Sequence, residues 1–296
     1  MALTTDIEAG DEQGRAARGL PAAVLRTGTG RTGAGMVAFI VLLAFAGPLF
    51  APHSQTDVVG RSFTGPSSRF LLGTDFLGHD VLSRVLYGGD TVVVLSVLAT
   101  LFPYAIGIPL GMRLGYRGGR ISSAAMRLVD VVLAFPAIIF VLMLVAGLGT
   151  ALWVLVFGIT LITIPRVIRV VRAVTEEISV RGFVEAAELR GDSPLRIVLR
   201  EILPNVWTPV LADLGVRFAG TAVLVASLSF LGFGLQPPNA DWGVMIFENR
   251  DGLTLAPVSL FAPAACIGIL MVGANLLGDA VARAVGRTTD VADRYT

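Results

Sequence analysis

The 296-residue sequence contains no lysine, and all 23 of its basic residues are arginine. A phosphate-binding P-loop needs a lysine to reach the β and γ phosphates, and a Schiff-base enzyme needs one to attack a carbonyl. Neither chemistry is open to this chain, so if ATP powers its work, another polypeptide binds the ATP. Cysteine is nearly absent too. The single Cys266 lies in an apolar run, which excludes an internal disulfide and a Cys-based metal cluster. Charge is scarce, at 15% of residues where a soluble protein carries about a quarter, and 54% of the chain is hydrophobic. Most of the surface must therefore face lipid.

What is present is a series of charge-free runs: Thr32 to Thr56, Thr91 to Met112, Val131 to Pro165, Phe218 to Ala240 and Leu253 to Gly278. Each can cross a hydrocarbon core, which takes about 20 apolar residues per helix. The third is too long for one span and is divided at Gly147-Leu148-Gly149. Six spans are thus predicted, at 34–52, 90–113, 128–147, 151–171, 206–235 and 257–280. Residues 1–31 are polar, mixed in charge and without apolar periodicity, and are expected to form a disordered cytosolic tail. Asp6, Glu8, Asp11 and Glu12 do not suit the positive start of a signal peptide. Residues 286–296 are expected to form a second cytosolic tail, with a domain of six spans over 32–285 between the two.

Orientation follows from arginine placement. With the N-terminus inside, nineteen arginines fall in cytosolic segments or helix ends and only Arg61, Arg69, Arg84 and Arg250 fall outside. This satisfies the positive-inside rule and places both termini in the cytosol.

The long polar interruption between spans is residues 183–204, FVEAAELRGDSPLRIVLREILP. Val184 to Leu189 are good helix formers, and Gly191 suits the left-handed position that ends a helix. Asp192 or Ser193 can cap a second helix whose first residue is Pro194. The result is a helix-turn-helix presenting Glu185, Glu188, Arg190, Arg196 and Arg200 beside a rigid apex, a form suited to docking another protein.

Glu185, Ala186, Ala187 and Gly191, followed by Ile202, Leu203 and Pro204, resemble the EAA motif of permease subunits of ABC importers. Other stretches are similar to the C-type permease of the dipeptide, oligopeptide and nickel branch. They are GTDFLGHDVLSR from Gly73, GYRGGR from Gly115, Arg127 and Asp130 with Ala134-Phe135-Pro136, LSFLGFG from Leu228 with Pro237, Pro238, Trp242 and Gly243, and Asn275 to Asp279. His79 stands where that branch is expected to carry Arg. By their own chemistry Arg127 and Asp130, three apart at a helix entry, can pair, and Pro136 is expected to kink the third span. Gly232 and Gly234 permit close helix contact, Pro237-Pro238 ends the fifth span, and Trp242 can anchor at the interface.

The resemblance implies an all-α, type I importer permease in a bacterial inner membrane, with a cytosolic coupling loop at 183–204 seated in an ATPase groove. It implies a homologous second permease, two cytoplasmic ATPase subunits or one fused ATPase, and an extracytoplasmic binding protein. ATP and Mg would reside on the ATPases; this chain would hold no cofactor, do no catalysis and bind no nucleic acid. Dipeptides or oligopeptides head the implied cargo, with nickel complexes and other small solutes also carried within the branch.

Three constellations carry competing readings. Arg166, Arg169 and Arg172 recur every third residue, but they follow an apolar span at its cytosolic end, where cations suit the helix dipole and headgroups better than voltage sensing. In the external segment 53–89, Asp75, His79 and Asp80 suggest a metal, yet no HxH or HxxxH spacing supports it. An amphipathic helix after Gly78, lying at the outer interface with Asp80 and Arg84 paired, is expected instead. Asp213 and Arg217, four apart near the start of the fifth span, either line a water-filled route or satisfy each other, and both readings stay open. An ion-coupled secondary transporter would usually show mid-span Asp, Glu or His, or inverted repeats; no such repeat is evident, and mid-span charges are absent from five of the six helices.

Overall fold

The computed structural model describes residues 22–292. These contain helices and two isolated antiparallel bridges, Val58 with His79 and Thr74 with Asp80, and no β-strand. The helices are α1 (Gly28–Ala46), α2 (Val81–Tyr87), α3 (Gly89–Arg117), α4 (Gly119–Leu133), α5 (Ala137–Leu148), α6 (Leu152–Ser179), α7 (Gly182–Leu189), α8 (Pro194–Ile197), α9 (Leu203–Leu228), α10 (Trp242–Glu248) and α11 (Val258–Ala292). Five stretches are long and apolar enough to cross a bilayer: Gly28–Phe50, Val81–Arg117, Leu152–Ser179, Pro194–Phe233 and Val258–Ala284.

A sixth stretch is long and apolar enough only when α4 and α5 are counted together, and these two are bent by 82° at the break between them. The single kinked span expected at 128–147 is therefore two helices. Pro136 has no N–H to donate and forces the residue before it out of the helical region. The chain leaves the helix at Ala134, and Pro136 itself is extended (φ −61°, ψ 125°) before α5 begins.

Other boundaries differ for local reasons. Residues 22–26 are helical and α1 starts at Gly28, with the Thr27 hydroxyl accepting from the Gly30 amide, so the tail expected through residue 31 is helical in its last part. Its residues 1–21 lie outside the described region. At the other end α11 continues to Ala292 through most of the expected 286–296 tail, since no proline or glycine cap follows Gly286 to stop it.

The spans pack through small residues. Gly107, Gly111 and Gly115 recur every fourth residue along α3, as do Val167, Val171 and Thr175 along α6. A Cβ at these glycines would lie 2.6 Å from Val167 Cγ1, 2.7 Å from Val171 Cβ and 2.7 Å from Thr175 Cβ. Close backbone approach of this kind is what associates helices in lipid, where burying apolar surface supplies little drive. Gly215 of α9 and Gly278 of α11 repeat it, with a Cβ on Gly215 falling 2.6 Å from Gly278 Cα. The same role expected for Gly232 and Gly234 is not what they do. Gly232 has φ +89° and nothing within 4 Å of a Cβ, and Gly234 abuts Ser229 of its own turn. Gly243, at the start of α10, makes the close approach to Ser229 and the Ala226 carbonyl instead.

Buried side chains form two main clusters. One includes Ile40, Val81, Val92, Leu155, Leu228, Trp242 and Leu270, at the end of the bundle that holds α2 and α10. The other includes Tyr104, Met112, Val167, Val171, Val184, Ile197, Ile202 and Val206, at the end that holds α7 and α8. Outward faces carry Phe39, Leu42, Phe45, Leu101, Phe102 and Phe261, as contact with lipid requires.

Candidate functional site: a helix-turn-helix at one end of the bundle

Helices α7 and α8 meet in a tight turn whose geometry follows from its residues. Gly191 takes φ +78°, a conformation that costs a residue with a Cβ about 1 kcal/mol or more. The Asp192 amide donates to the Ala187 carbonyl at 3.2 Å and the Gly191 amide to the Glu188 carbonyl at 2.9 Å, the paired bonds of a Schellman ending. Pro194 opens α8 as expected, with Ser193 before it. Asp192 does not cap α8; its carboxylate pairs with Arg190 at 3.3 Å and Arg196 at 3.2 Å. Beyond α8 a π turn, Val198–Ile202, joins the element without a break to α9, where Pro204 sits in the first turn.

The predicted site residues divide into two groups. Ala187 and Ile202 are fully buried, in one cluster with Val184, Ile197 and Val206, and Leu203 packs against them. These residues anchor the element to the bundle and touch nothing outside. Glu185, Ala186, Gly191 and Pro204 are exposed. Sequence reasoning missed Leu189 and Leu195, which flank the Gly191 apex and are 84% and 69% exposed. It also missed Tyr116, whose hydroxyl donates to Glu188 Oε1 at 2.8 Å and ties the end of α3 to α7.

Asp213 and Arg217 do pair, at 2.6 Å, and each is about one-fifth exposed. The structure adds a third member, Tyr104 of α3, whose hydroxyl donates to Asp213 Oδ2 at 2.5 Å. This clasp crosses from α3 to α9 within the second cluster. Arg127 and Asp130, expected to pair, do not; Asp130 pairs with Arg169 of α6.

At the opposite end the 53–89 segment is a folded cap with a buried ionic centre. Arg84 Nη1 lies 2.5 Å from Asp75 Oδ2 and 3.2 Å from Glu248 Oε2, and His79 Nδ1 lies 2.9 Å from the same Asp75 oxygen. Burial alone would raise the Asp75 pKa, but the Arg84 guanidinium and His79 outweigh it and hold that carboxyl below its ordinary value. Burial, with the Asp75 charge nearby, pushes Glu248 up.

Several expectations for this segment are corrected. Asp80 does not pair with Arg84 but caps α2, accepting from the Ser83 amide. α2 is no interfacial helix, because Val81, Ser83, Arg84 and Val85 are all buried in protein. Trp242 is no interfacial anchor either: it is fully buried and its indole N–H donates to the Val85 carbonyl at 2.8 Å.

A bundle of apolar spans that devotes its polar residues to a folded cap at one end and a protruding helix-turn-helix at the other defines an integral membrane transport subunit. Residues 107–291 match the family described as binding-protein-dependent transport system inner membrane component, and the chain belongs to that family. It is 32% identical to the glutathione transport system permease protein GsiD of Pectobacterium atrosepticum, over 82% of this chain and 81% of that one. It is 33% identical to the di/tripeptide transport system permease protein DppC of Pseudomonas aeruginosa, over 81% and 82% respectively. The fold is similar to that of the MetNI methionine ABC transporter in inward-facing conformations. There the TM-score is 0.56 at 20% identity, covering 69% of this chain and 96% of that one. The protein is thus a multi-pass inner-membrane permease subunit of an ABC importer.

Proposed function

We propose that this chain forms half of the translocation pathway of an importer for small peptides, and that α7 and α8 are its docking contact with a cytosolic ATPase. The carrying observation is the two-sidedness of this short element. Val184, Ala187, Ile197 and Ile202 hold it to the bundle, while Leu189 and Leu195 stand exposed beside a rigid apex. Charges of both signs surround these leucines, Glu185 and Glu188 with Arg190 and Arg196, which suits a protein groove of mixed charge. The arginine asymmetry supports a cytosolic position for it and for both termini.

ATP and Mg belong to the ATPase partners, either two chains or one fused chain. A homologous second permease completes the pathway and an extracytoplasmic protein delivers the solute. Closure of the ATPases would push α7 and α8. The push passes through the unbroken π turn into α9, and from α9 to α3 and α11 through the Tyr104–Asp213 clasp and the Gly215–Gly278 contact. The peptide reading rests on what the relatives carry, glutathione in one and di- and tripeptides in another.

Replacing Leu189 and Leu195 together by Glu tests the docking. Membrane abundance should stay near normal while co-purified ATPase falls severalfold; undiminished ATPase would refute it. Uptake of a labelled dipeptide by the complete reconstituted transporter tests the cargo separately. A binding protein that carries a nickel chelate and no peptide would overturn that part alone.

A further inference from the structure

We propose that α4 lies in the plane of the membrane surface, at the α7–α8 end of the bundle, and seats the phosphate of an anionic lipid between Arg120 and Arg127. The 82° bend sets α4 nearly crosswise to α5. The contacts of α4 with α6 fix its depth. Asp130 pairs with Arg169, and the Ser122 hydroxyl accepts from Arg172 Nε at 2.8 Å. Eight residues of α4, about 12 Å, therefore advance only three residues along α6, about 4.5 Å, so the helices cross rather than run together. The level of that crossing is the basic end of α6, about 25 Å from its start at Leu152 and close to the ~30 Å thickness of a hydrocarbon core. Helix α5 covers about 18 Å of that depth and Pro136, extended just before it, adds about 3 Å, so most of the crossing is made before α4 is counted.

The surface of α4 is divided as an in-plane helix requires. Ser122 and Val129, seven apart, are buried. Ile121 and Leu128, one position earlier in each turn, are 82% and 66% exposed and point about 100° away from that stripe. Arg120 and Arg127, one position earlier again, point a further 100° round and are exposed. Going round the helix, the order is protein, apolar outer stripe, basic stripe. With Ile121 and Leu128 in the acyl chains, the arginines come to headgroup level on the side away from α6.

Arg120, Ser123 and Arg127 share one open face of α4 with Gly119 and Ala124. Neither arginine has an ion-pair partner among the described residues, whereas Arg169, Arg172 and Arg217 each have one. The two guanidinium groups offer the charge-assisted donors that a phosphodiester accepts, while the Ser123 hydroxyl between them donates to the Gly119 carbonyl.

The test uses the assembled transporter in nanodiscs of phosphatidylcholine, with or without phosphatidylglycerol. Native mass spectrometry should find phosphatidylglycerol retained, with Arg120→Gln plus Arg127→Gln weakening it about 30-fold, roughly fivefold for each arginine near the surface. Arg61→Gln, at the other end of the bundle, should change nothing. A nitroxide at Leu128→Cys, in a Cys266→Ser background, should be reached by oxygen from the lipid and not by an aqueous nickel chelate. Equal retention in the double variant would overturn the proposal. So would displacement of the lipid by millimolar inorganic phosphate, which would make this a free-anion site. A nitroxide shielded from both reagents would mean that a protein partner covers α4, and would overturn it as well.

Discussion

Arg84 and Glu248 stand 164 residues apart in the chain and 3.2 Å apart in space. With Asp75 at 2.5 Å on the same Nη1, the Arg84 guanidinium joins the 53–89 segment to α10. All three side chains are buried, so removing the guanidinium leaves Glu248 without its partner and Asp75 with only His79 and two backbone amides, a defect worth about 3–5 kcal/mol. Arg84→Leu should lower the thermal unfolding temperature in detergent sharply, and adding Asp75→Asn with Glu248→Gln should recover part of the loss. An unfolding temperature unchanged in Arg84→Leu would show that the centre contributes nothing to stability.

Asp241 supplies a pH dependence at the same end. Burial raises its pKa to about 6 from 3.8, against the pull of the Val244 and Gly243 amides that it caps. The folded chain therefore holds this proton more tightly than the unfolded chain does. The stability this contributes is full below about pH 4 and is lost as pH rises to about 6, by at most ~3 kcal/mol. Asp241→Asn retains an acceptor for both amides and cannot ionise. Its unfolding temperature should exceed that of the natural protein at pH 7.5, and the difference should shrink as the pH is lowered to 5. A constant difference across that range would reject the assignment.

The α3–α6 seam offers a packing test. A side chain on Gly111 meets Val171 at once, whereas a Cβ on Gly35 meets nothing within 4 Å. Overpacking commonly costs 1–3 kcal/mol, and rigid backbones at a glycine seam leave little room to relax. Gly111→Leu should lower folded yield and protease resistance markedly, with Gly35→Leu close to the natural protein. Equal protease resistance of the two variants would mean the helices part freely.

How much could be read in advance depended on how local the cause was. The turn at Gly191, the proline start of α8 and the interruption at Pro136 each come from the conformational limits of one residue, so they were legible. The angle at Pro136 was not, because it goes with contacts of α4 to Arg169 and Arg172 of the next helix, 39 and 50 residues away from their partners in the chain. The Tyr104–Asp213 bond and the Arg84 centre join residues 109 and 164 positions apart, which no periodicity reports. In the site itself the motif residues were visible but their two faces were not. An eight-residue helix shows apolar residues on both sides, and only packing tells that Val184 and Ala187 are covered while Leu189 is bare.

Gly191 is where local geometry and proposed docking meet, and two substitutions there separate them. No atom lies within 4 Å of a Cβ at this position, so a side chain meets no obstacle in the chain itself. The only internal cost is that of φ +78°, about 1 kcal/mol or more, greatest for a β-branched residue and least for asparagine, which visits the left-handed region most readily. That cost falls on an exposed turn outside the spans, so insertion and membrane abundance should be near normal in both variants. Gly191→Val strains the turn and crowds the apex between Leu189 and Leu195. ATPase retained per permease, and with it uptake, should fall severalfold or more, since the centre of an interface tolerates intrusion poorly. Gly191→Asn keeps the turn and adds only bulk, so its loss should be smaller. Measuring the ATPase retained in detergent decides the matter: full retention in Gly191→Val, with normal uptake, would reduce this element to a connector between α6 and α9.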